Sequence, residues 1–147
     1  MIQDFIDANE LDARIVSFPS EVSVEKALAL NELTISNYAK AVPFVNEKMD
    51  FFVVVKIVSE KVGIEDAEDL FDENLNEIDS TETEKLTGFE KSFFPPVSVL
   101  GAKLVFTKLA SKSKKFLFAL GPKEYLIINV DSIRKAQELS DYFFEEK

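Results

Sequence analysis

Residues 51–58, FFVVVKIV, constrain the fold more than any other stretch of the chain. Seven of the eight are apolar, and most are β-branched or aromatic, which suits a pleated strand. Apolarity this continuous implies burial on both faces of a sheet. A strand buried on both faces needs a covering layer on each side, so the rest of the chain has to supply those layers. The upstream run YAKAVPFV (38–45), set off by NEKMD (46–50), reads as its hairpin partner.

Further strands are expected in ARIVSFP (13–19), stopped at Pro19, and in AKLVFTKL (102–109), KKFLFAL (114–120) and EYLIINV (124–130). The last two are joined across GPK, a tight turn. Ile2, Phe5 and Ile6 fall at helical spacing. Ser23 is a good N-cap for VEKALALNE, with Glu25 in the first turn, where the helix dipole favours an acid. GIEDAEDLFDE (63–73) reads as an acidic helix. Thr81 and Glu84 form a capping box for a short helix ending near Gly88. Asp131 opens a last helix over SIRKAQELSDYFF, with Ile133, Ala136 and Phe143 on one face. The order αβαββααβββα predicts an α+β domain with a mixed, mostly antiparallel sheet and helices packed around it. At 147 residues, 1–147 is read as one domain.

The inventory of reactive side chains is short. There is no cysteine, which removes disulfides, thiolate metal sites and cysteine nucleophiles. There is no histidine either, which removes the Ser–His–Asp triad, histidine metal sites and the commonest general base. Catalysis would have to use carboxylates, lysines, hydroxyls, backbone groups or the substrate itself. No segment approaches the roughly 18 apolar residues of a membrane span, and MIQDFIDANE lacks the pattern of a secretory signal. A cytoplasmic protein with no membrane partner and no cofactor is expected.

The net charge of −10 opposes nonspecific nucleic-acid binding. It is unevenly spread. Residues 1–102 hold 8 basic and 21 acidic side chains, whereas 103–147 hold 9 basic and 6 acidic. Between Lys103 and Lys123 there are six lysines and no acid, a run suited either to an RNA backbone or to ordinary strand-face alternation. The segment 65–84 has ten acids and no base. It lacks the glycine bend of a calcium loop and reads as a solvated helix face.

Lys40, at the entry to the first hairpin strand, suits a phosphate or carboxylate contact. It also suits a strand-edge lysine snorkelling to water. Lys56, near the end of FFVVVKIV, reads as a rim lysine. The segment LTGFEKSFFPPVSVLG (86–101) is stiff and apolar: Pro95 and Pro96 remove two donors and fix φ. Such a loop can wall a small-ligand pocket or pack over the sheet with no ligand.

Four stretches, taken in order, resemble the YbaK/prolyl-tRNA editing family. VSVEKALALNELTISNYAKAVPFV is similar to that family's helix, turn and lysine-bearing strand, with Lys40 at the position of the functional lysine. DSTETEKLTGFE is similar to a short helix ending in a Thr-Gly-aromatic turn. KSFFPPVSVLG lies where the family has a glycine-rich, proline-containing loop. FLFALGPKEYLIINVDSIRK resembles the closing hairpin and final helix. The resemblance runs from about Phe5 to Leu139. It implies a barrel-like sheet whose pocket admits the aminoacylated end of a tRNA. It also implies an aminoacyl-tRNA deacylase acting in trans, with the tRNA acceptor end, and an aminoacyl-tRNA synthetase, as partners. Lys40 would hold the substrate end. Gly88, Ser92, Phe93, Phe94, Pro96, Ser98 and Gly121 would line the substrate site and offer backbone amides. Water would cut the ester with help from the substrate's own hydroxyl, a route that needs neither cysteine, histidine nor metal.

The departures are specific. The family's paired glycines fall on Ser92 and Phe93, and the phenylalanine and glycine after the proline become Val97 and Ser98. The first of two spaced glycines in the closing hairpin becomes Ala119. The helix at 65–73 is acidic where the family is basic. Phe93 and Phe94 would narrow the pocket towards a small side chain such as Ala or Ser, or block it. The alternative reading is therefore an inactive relative that serves as a binding or scaffold module for a protein partner.

Overall fold

The computed structural model of the chain describes residues 2–97, 102–139 and 143–145, with 137–139 and 143–145 described by their backbone alone. The hairpin is the centre of it. β2 (Ala39–Val45) and β3 (Phe51–Ile57) pair antiparallel, with Val45 opposite Phe51 and Ala39 opposite Ile57. β3 is buried on both faces, as its composition demands. Val53, Val55 and Ile57 point into the main core, and Phe52 and Val54 into a second cluster on the opposite face.

Around the hairpin run two sheets. The larger has the order β4-β2-β3-β5-β8, with β4 at Asn76–Glu77, β5 at Lys103–Phe106 and β8 at Phe143–Glu145. The smaller has the order β1-β7-β6, from Ala13–Ser17, Glu124–Asn129 and Lys115–Ala119. Four of the six strand pairs among the described residues are antiparallel; β3–β5 and β5–β8 are parallel. Among the described residues the sheets do not close into a barrel. A parallel bridge between Tyr38 and Leu117 joins them.

The main core lies between the two sheets and collects Val53, Val55, Leu104, Phe106, Phe116, Phe118, Leu126 and Ile128. Phe106 stacks on Phe116 at 5.6 Å, and Phe116 meets Phe118 at 5.8 Å. Each such buried ring contributes about 1.5–3 kcal/mol. Two helices close this core: α1 (Ile2–Ala8) through Ile2 and Ile6, and α5 (Val130–Leu139) through Ile133 and Ala136. The other two apolar clusters sit under outer helices. α2 (Val24–Leu30) places Ala27 and Leu28 on Leu117, Tyr125 and Ile127 of the small sheet. α3 (Ile64–Phe71) places Ala67 and Phe71 on Phe44, Phe52 and Val54 of the large one. The Phe52 and Phe71 rings meet edge to face at 5.1 Å.

Several local expectations need correction. The capping residue of α4 (Ser80–Thr87) is Asp79, which accepts from the Glu82 amide at 2.7 Å, so the helix starts before Thr81. Asp and Thr compete for that role within DSTETE, and the earlier carboxylate wins. The final helix ends at Leu139. Phe143 belongs not to its apolar face but to β8, which runs parallel beside β5. β4 and β8 are additions to the predicted order. Ser23 does cap α2, accepting from the Lys26 amide. Gly88 does end α4, at φ +83°, a left-handed conformation that glycine adopts without strain.

Candidate functional site

The chain leaves α4 at Gly88 and turns through a single 3-10 turn, Lys91–Phe93. Then it dives inward. Phe94, Pro95, Pro96 and Val97 are all buried, with Phe94 and Val97 in the main core. The stiff aromatic stretch is therefore two things in succession. Its second half is a plug over the open end of the core. Its first half, Ser92 and Phe93, stays at the surface beside the start of β2.

A cleft of about 160 Å³ opens there. Tyr38, Lys40 and Val58 line it from the hairpin end, Ser92, Phe93 and Phe94 from the loop, and Phe118 and Ala119 from β6. It lies where the two sheets are joined, next to the Tyr38–Leu117 bridge. Of the residues expected at a site, Lys40, Ser92, Phe93 and Phe94 meet in this cleft. Gly88 stays at the end of α4, Pro96 is buried, and Gly121 belongs to the β6–β7 turn; none of the three lines it. Ser98 lies outside the described residues.

Strand register adds a residue that the sequence reading left at the rim. Lys40 and Lys56 are direct cross-strand partners, so both side chains leave the same face of the sheet. Along that face the preceding pairs are apolar, Phe44 with Phe52 and Val42 with Val54. Beyond the lysines the ladder continues to Tyr38 and Val58, whose amide donates to the Tyr38 carbonyl at 2.9 Å. Tyr38, Lys40 and Val58 line the cleft, and Lys56, across the ladder from Lys40, does not. A signal for this was present in the sequence. A five-residue loop between Val45 and Phe51 fixes the register, and counting outward from it brings Lys40 opposite Lys56.

The two ammonium groups are not equivalent. Lys56 is half-buried and donates from Nζ to the Glu60 carbonyl at 2.8 Å. The Glu60 carboxylate accepts from the Ile57 amide at 2.9 Å and from the Thr107 hydroxyl at 2.6 Å, which braces this turn against β5. Burial, and then the Lys40 charge, hold Lys56 below the ordinary lysine range, with Glu60 pulling the other way. The Lys40 side chain is exposed and its ammonium has no hydrogen-bond or ion-pair partner among the described residues. Burial, followed by the neighbouring Tyr125 and Glu25, raises Tyr38, so its phenol keeps its proton and remains a donor.

On the loop side, the Phe93 amide is used within the turn, donating to the Glu90 carbonyl at 3.0 Å. The Phe94 amide has no hydrogen-bond partner among the described residues. A backbone donor beside a cleft and without a partner is an available ligand for an oxyanion. Among the described residues no cluster of three or more His, Cys, Asp or Glu could hold a metal ion. No described helix is long and apolar enough to cross a membrane.

The charge asymmetry of the sequence has a place in the fold. α3, with Glu65 and Asp69 exposed, covers the same sheet face from which Lys40 and Lys56 project. Lys108, Lys112 and Lys114 fall in the segment between β5 and β6, and Lys115 opens β6 opposite Asn129. Lys103 is elsewhere, at the opposite end of β5, with its ammonium 5.7 Å from the Phe52 ring.

No protein-family model and no curated protein sequence matches the chain. Solved structures do share its fold. Hypothetical protein APE2540 superposes with a TM-score of 0.75 at 19% identity, over 99% of this chain and 97% of the other. A candidate trans-editing enzyme for prolyl tRNA synthetase superposes with a TM-score of 0.74 at 17% identity, over 99% and 92%. A candidate signal transduction protein from Marinobacter aquaeolei VT8 has a TM-score of 0.67 at 12% identity. There 99% of this chain matches only 29% of a longer one.

Proposed function

We propose that the chain is an aminoacyl-tRNA deacylase that acts in trans, in the cytoplasm, on tRNA carrying the wrong amino acid. One observation carries the reading: Lys40 and the loop at Ser92–Phe94, distant in sequence, border one cleft in which the Phe94 amide is without a partner. The fold shared with a candidate trans-editing enzyme adds support.

In this reading the aminoacyl ester enters the cleft and its carbonyl oxygen takes the Phe94 N–H. Lys40 holds the charged end of the substrate at the lip. Water adds to the carbonyl carbon, and the bond to the ribose oxygen breaks. The proton lost by the water passes to that oxygen through the neighbouring ribose hydroxyl, releasing free amino acid and intact tRNA. A developing oxyanion held by a preorganised donor is stabilised more than the ground-state carbonyl, which is what accelerates such a step.

The cleft volume, about 160 Å³, is well below the roughly 300–1,000 Å³ of typical small-molecule sites. It suits an aminoacyl group with a small side chain, such as alanyl or seryl, while the terminal adenosine rests outside. Phe93, partly exposed where the family has glycine, limits the size.

The test is a panel of mischarged tRNAs incubated with purified protein. Small aminoacyl esters are hydrolysed above background, and Lys40→Ala lowers the rate at least tenfold. An unreactive panel, or a Lys40→Ala variant as active as the parent, overturns the assignment. The second reading, an inactive binding module, rests on the core plug at Phe94–Val97. It predicts no hydrolysis and no adenosine binding.

A further inference from the structure

We infer that the edges of β2 and β6 hold the aminoacyl group through their backbones: the Ala119 N–H donates to the ester carbonyl oxygen, and the Ala39 C=O accepts from the α-ammonium. That the ligand is an ester of tRNA rests on the deacylase reading. The donor and the acceptor rest on strand register.

In an antiparallel pair, hydrogen-bonded and non-hydrogen-bonded positions alternate. The Leu120 amide donates to the Glu124 carbonyl at 2.9 Å, and the Val130 amide donates to the Lys114 carbonyl at 2.9 Å. Counting inward from these bonds, Phe116 and Phe118 are bonded to β7. Leu117 and Ala119 hold the non-bonded positions opposite Ile127 and Tyr125, so their N–H and C=O groups point away from β7. The same count applies to β2. The Asn46 amide donates to the Asp50 carbonyl at 3.2 Å, and the Val58 amide donates to the Tyr38 carbonyl at 2.9 Å. Tyr38, Lys40, Val42 and Phe44 are thus bonded to β3, and Ala39 turns its backbone groups the other way. Leu117 meets Tyr38 in the parallel bridge between the sheets, and no second bridge continues it among the described residues. Just past that bridge, Ala39 and Ala119 both line the cleft beside Phe94. Ala39 is 2% exposed, and a buried carbonyl that no strand claims calls for a partner.

An aminoacyl ester matches this pair. Its carbonyl oxygen gains negative charge during hydrolysis and takes two donors, Ala119 N–H and Phe94 N–H. Its α-ammonium is a donor that needs an acceptor, which the Ala39 carbonyl supplies. Backbone groups read the part that all α-amino acids share and leave side-chain size to Phe93. The arrangement therefore demands a free α-amino group and rejects N-acylated esters.

Alaninamide and N-acetylalaninamide, which differ at the α-nitrogen, are the probes. Binding to the full chain is followed by the Ala119 amide and Ala39 carbonyl resonances. Alaninamide moves both along one saturation curve. N-acetylalaninamide binds roughly tenfold more weakly, the loss of one charge-assisted bond. Ala119→Pro removes the donor without touching the β7 ladder, a change that an edge strand tolerates, and weakens alaninamide to a similar extent. Ala119→Gly keeps the donor and the affinity. Hydrogen exchange of the parent gives the same answer without a variant: the Ala119 amide exchanges fast in the free protein and slows with alaninamide.

Three results overturn the inference: neither resonance moves at tens of millimolar alaninamide, the two probes bind equally, or the Ala119 amide is as protected in the free protein as that of Phe118. Failure of the deacylase reading looks different. If alaninamide engages both groups but no mischarged tRNA is cleaved, the backbone pair stands and the editing assignment falls. If alanyl-tRNA and N-acetylalanyl-tRNA are cleaved at equal rates, the pair falls and the assignment stands.

Discussion

Replacing Lys40 by Met is expected to stabilise the protein and, on the proposed reading, to remove deacylation. Lys40 and Lys56 face each other across the β2–β3 ladder, and the Lys40 ammonium has no hydrogen bond or ion pair to lose among the described residues. Like charges directly opposite on an antiparallel ladder destabilise it by about 0.2–1 kcal/mol. For a chain of this length it corresponds to a rise in Tm of roughly 1–3 °C.

Lys56, lowered first by burial and then by the Lys40 charge, adds a pH dependence. Lys56 is lowered in the folded state from its ordinary 10.5, so above that lowered value the unfolded chain binds more protons than the folded one. Stability of the parent protein therefore rises with pH in the window just below 10.5. The advantage of Lys40→Met is full at neutral pH and shrinks across that window as Lys56 loses charge. Circular dichroism melts of the parent, Lys40→Met, Lys56→Met and the double variant at pH 7 and pH 10 give the pair energy as a double-mutant cycle. The cycle is needed because Lys56→Met also loses the bond to the Glu60 carbonyl. A Lys40→Met protein no more stable than its parent at pH 7, or a cycle with additive effects, refutes the repulsion argument.

Two further outcomes follow from the loop that borders the cleft. Gly88→Ala lowers stability by about 1–2 kcal/mol, measured by urea unfolding, because an L side chain pays the left-handed penalty at φ +83° while its Cβ meets nothing within 4 Å. Gly88→Asn costs less. Phe93→Gly widens the cleft, so in the deacylation assay larger aminoacyl groups gain relative to alanyl; an unchanged substrate order shows that Phe93 does not set the limit.

The central hairpin, the N-cap at Ser23 and the stop at Gly88 were legible because each follows from a local rule. A stretch with seven apolar residues in eight has to be covered, a serine before an amphipathic stretch accepts an orphan amide, and a glycine ends a helix. β4 was not legible, since two exposed residues carry no periodicity. The β8 strand was hidden for a different reason. Tyr142, Phe143 and Phe144 extend the helical spacing of α5, and only pairing with distant β5 makes Phe143–Glu145 a strand. At the site, the resemblance pointed to Lys40 and to the loop. It could not show that the loop divides into an exposed lip and a buried plug, because that depends on where the core has room. Lys56 was within reach of simple counting from the hairpin loop.

The acidic helix α3 lies over the face that bears the two lysines and, on the proposed reading, makes the surroundings selective for shape. A duplex laid sideways would bring many phosphates against Glu65 and Asp69 at once and be pushed away. A single terminus reaching past them exposes only one or two charges to that field. On the proposed reading, recognition is therefore end-on, and its salt dependence is shallow: log K falls with log salt at a slope of about −0.7 to −1.4, the release of one or two counterions.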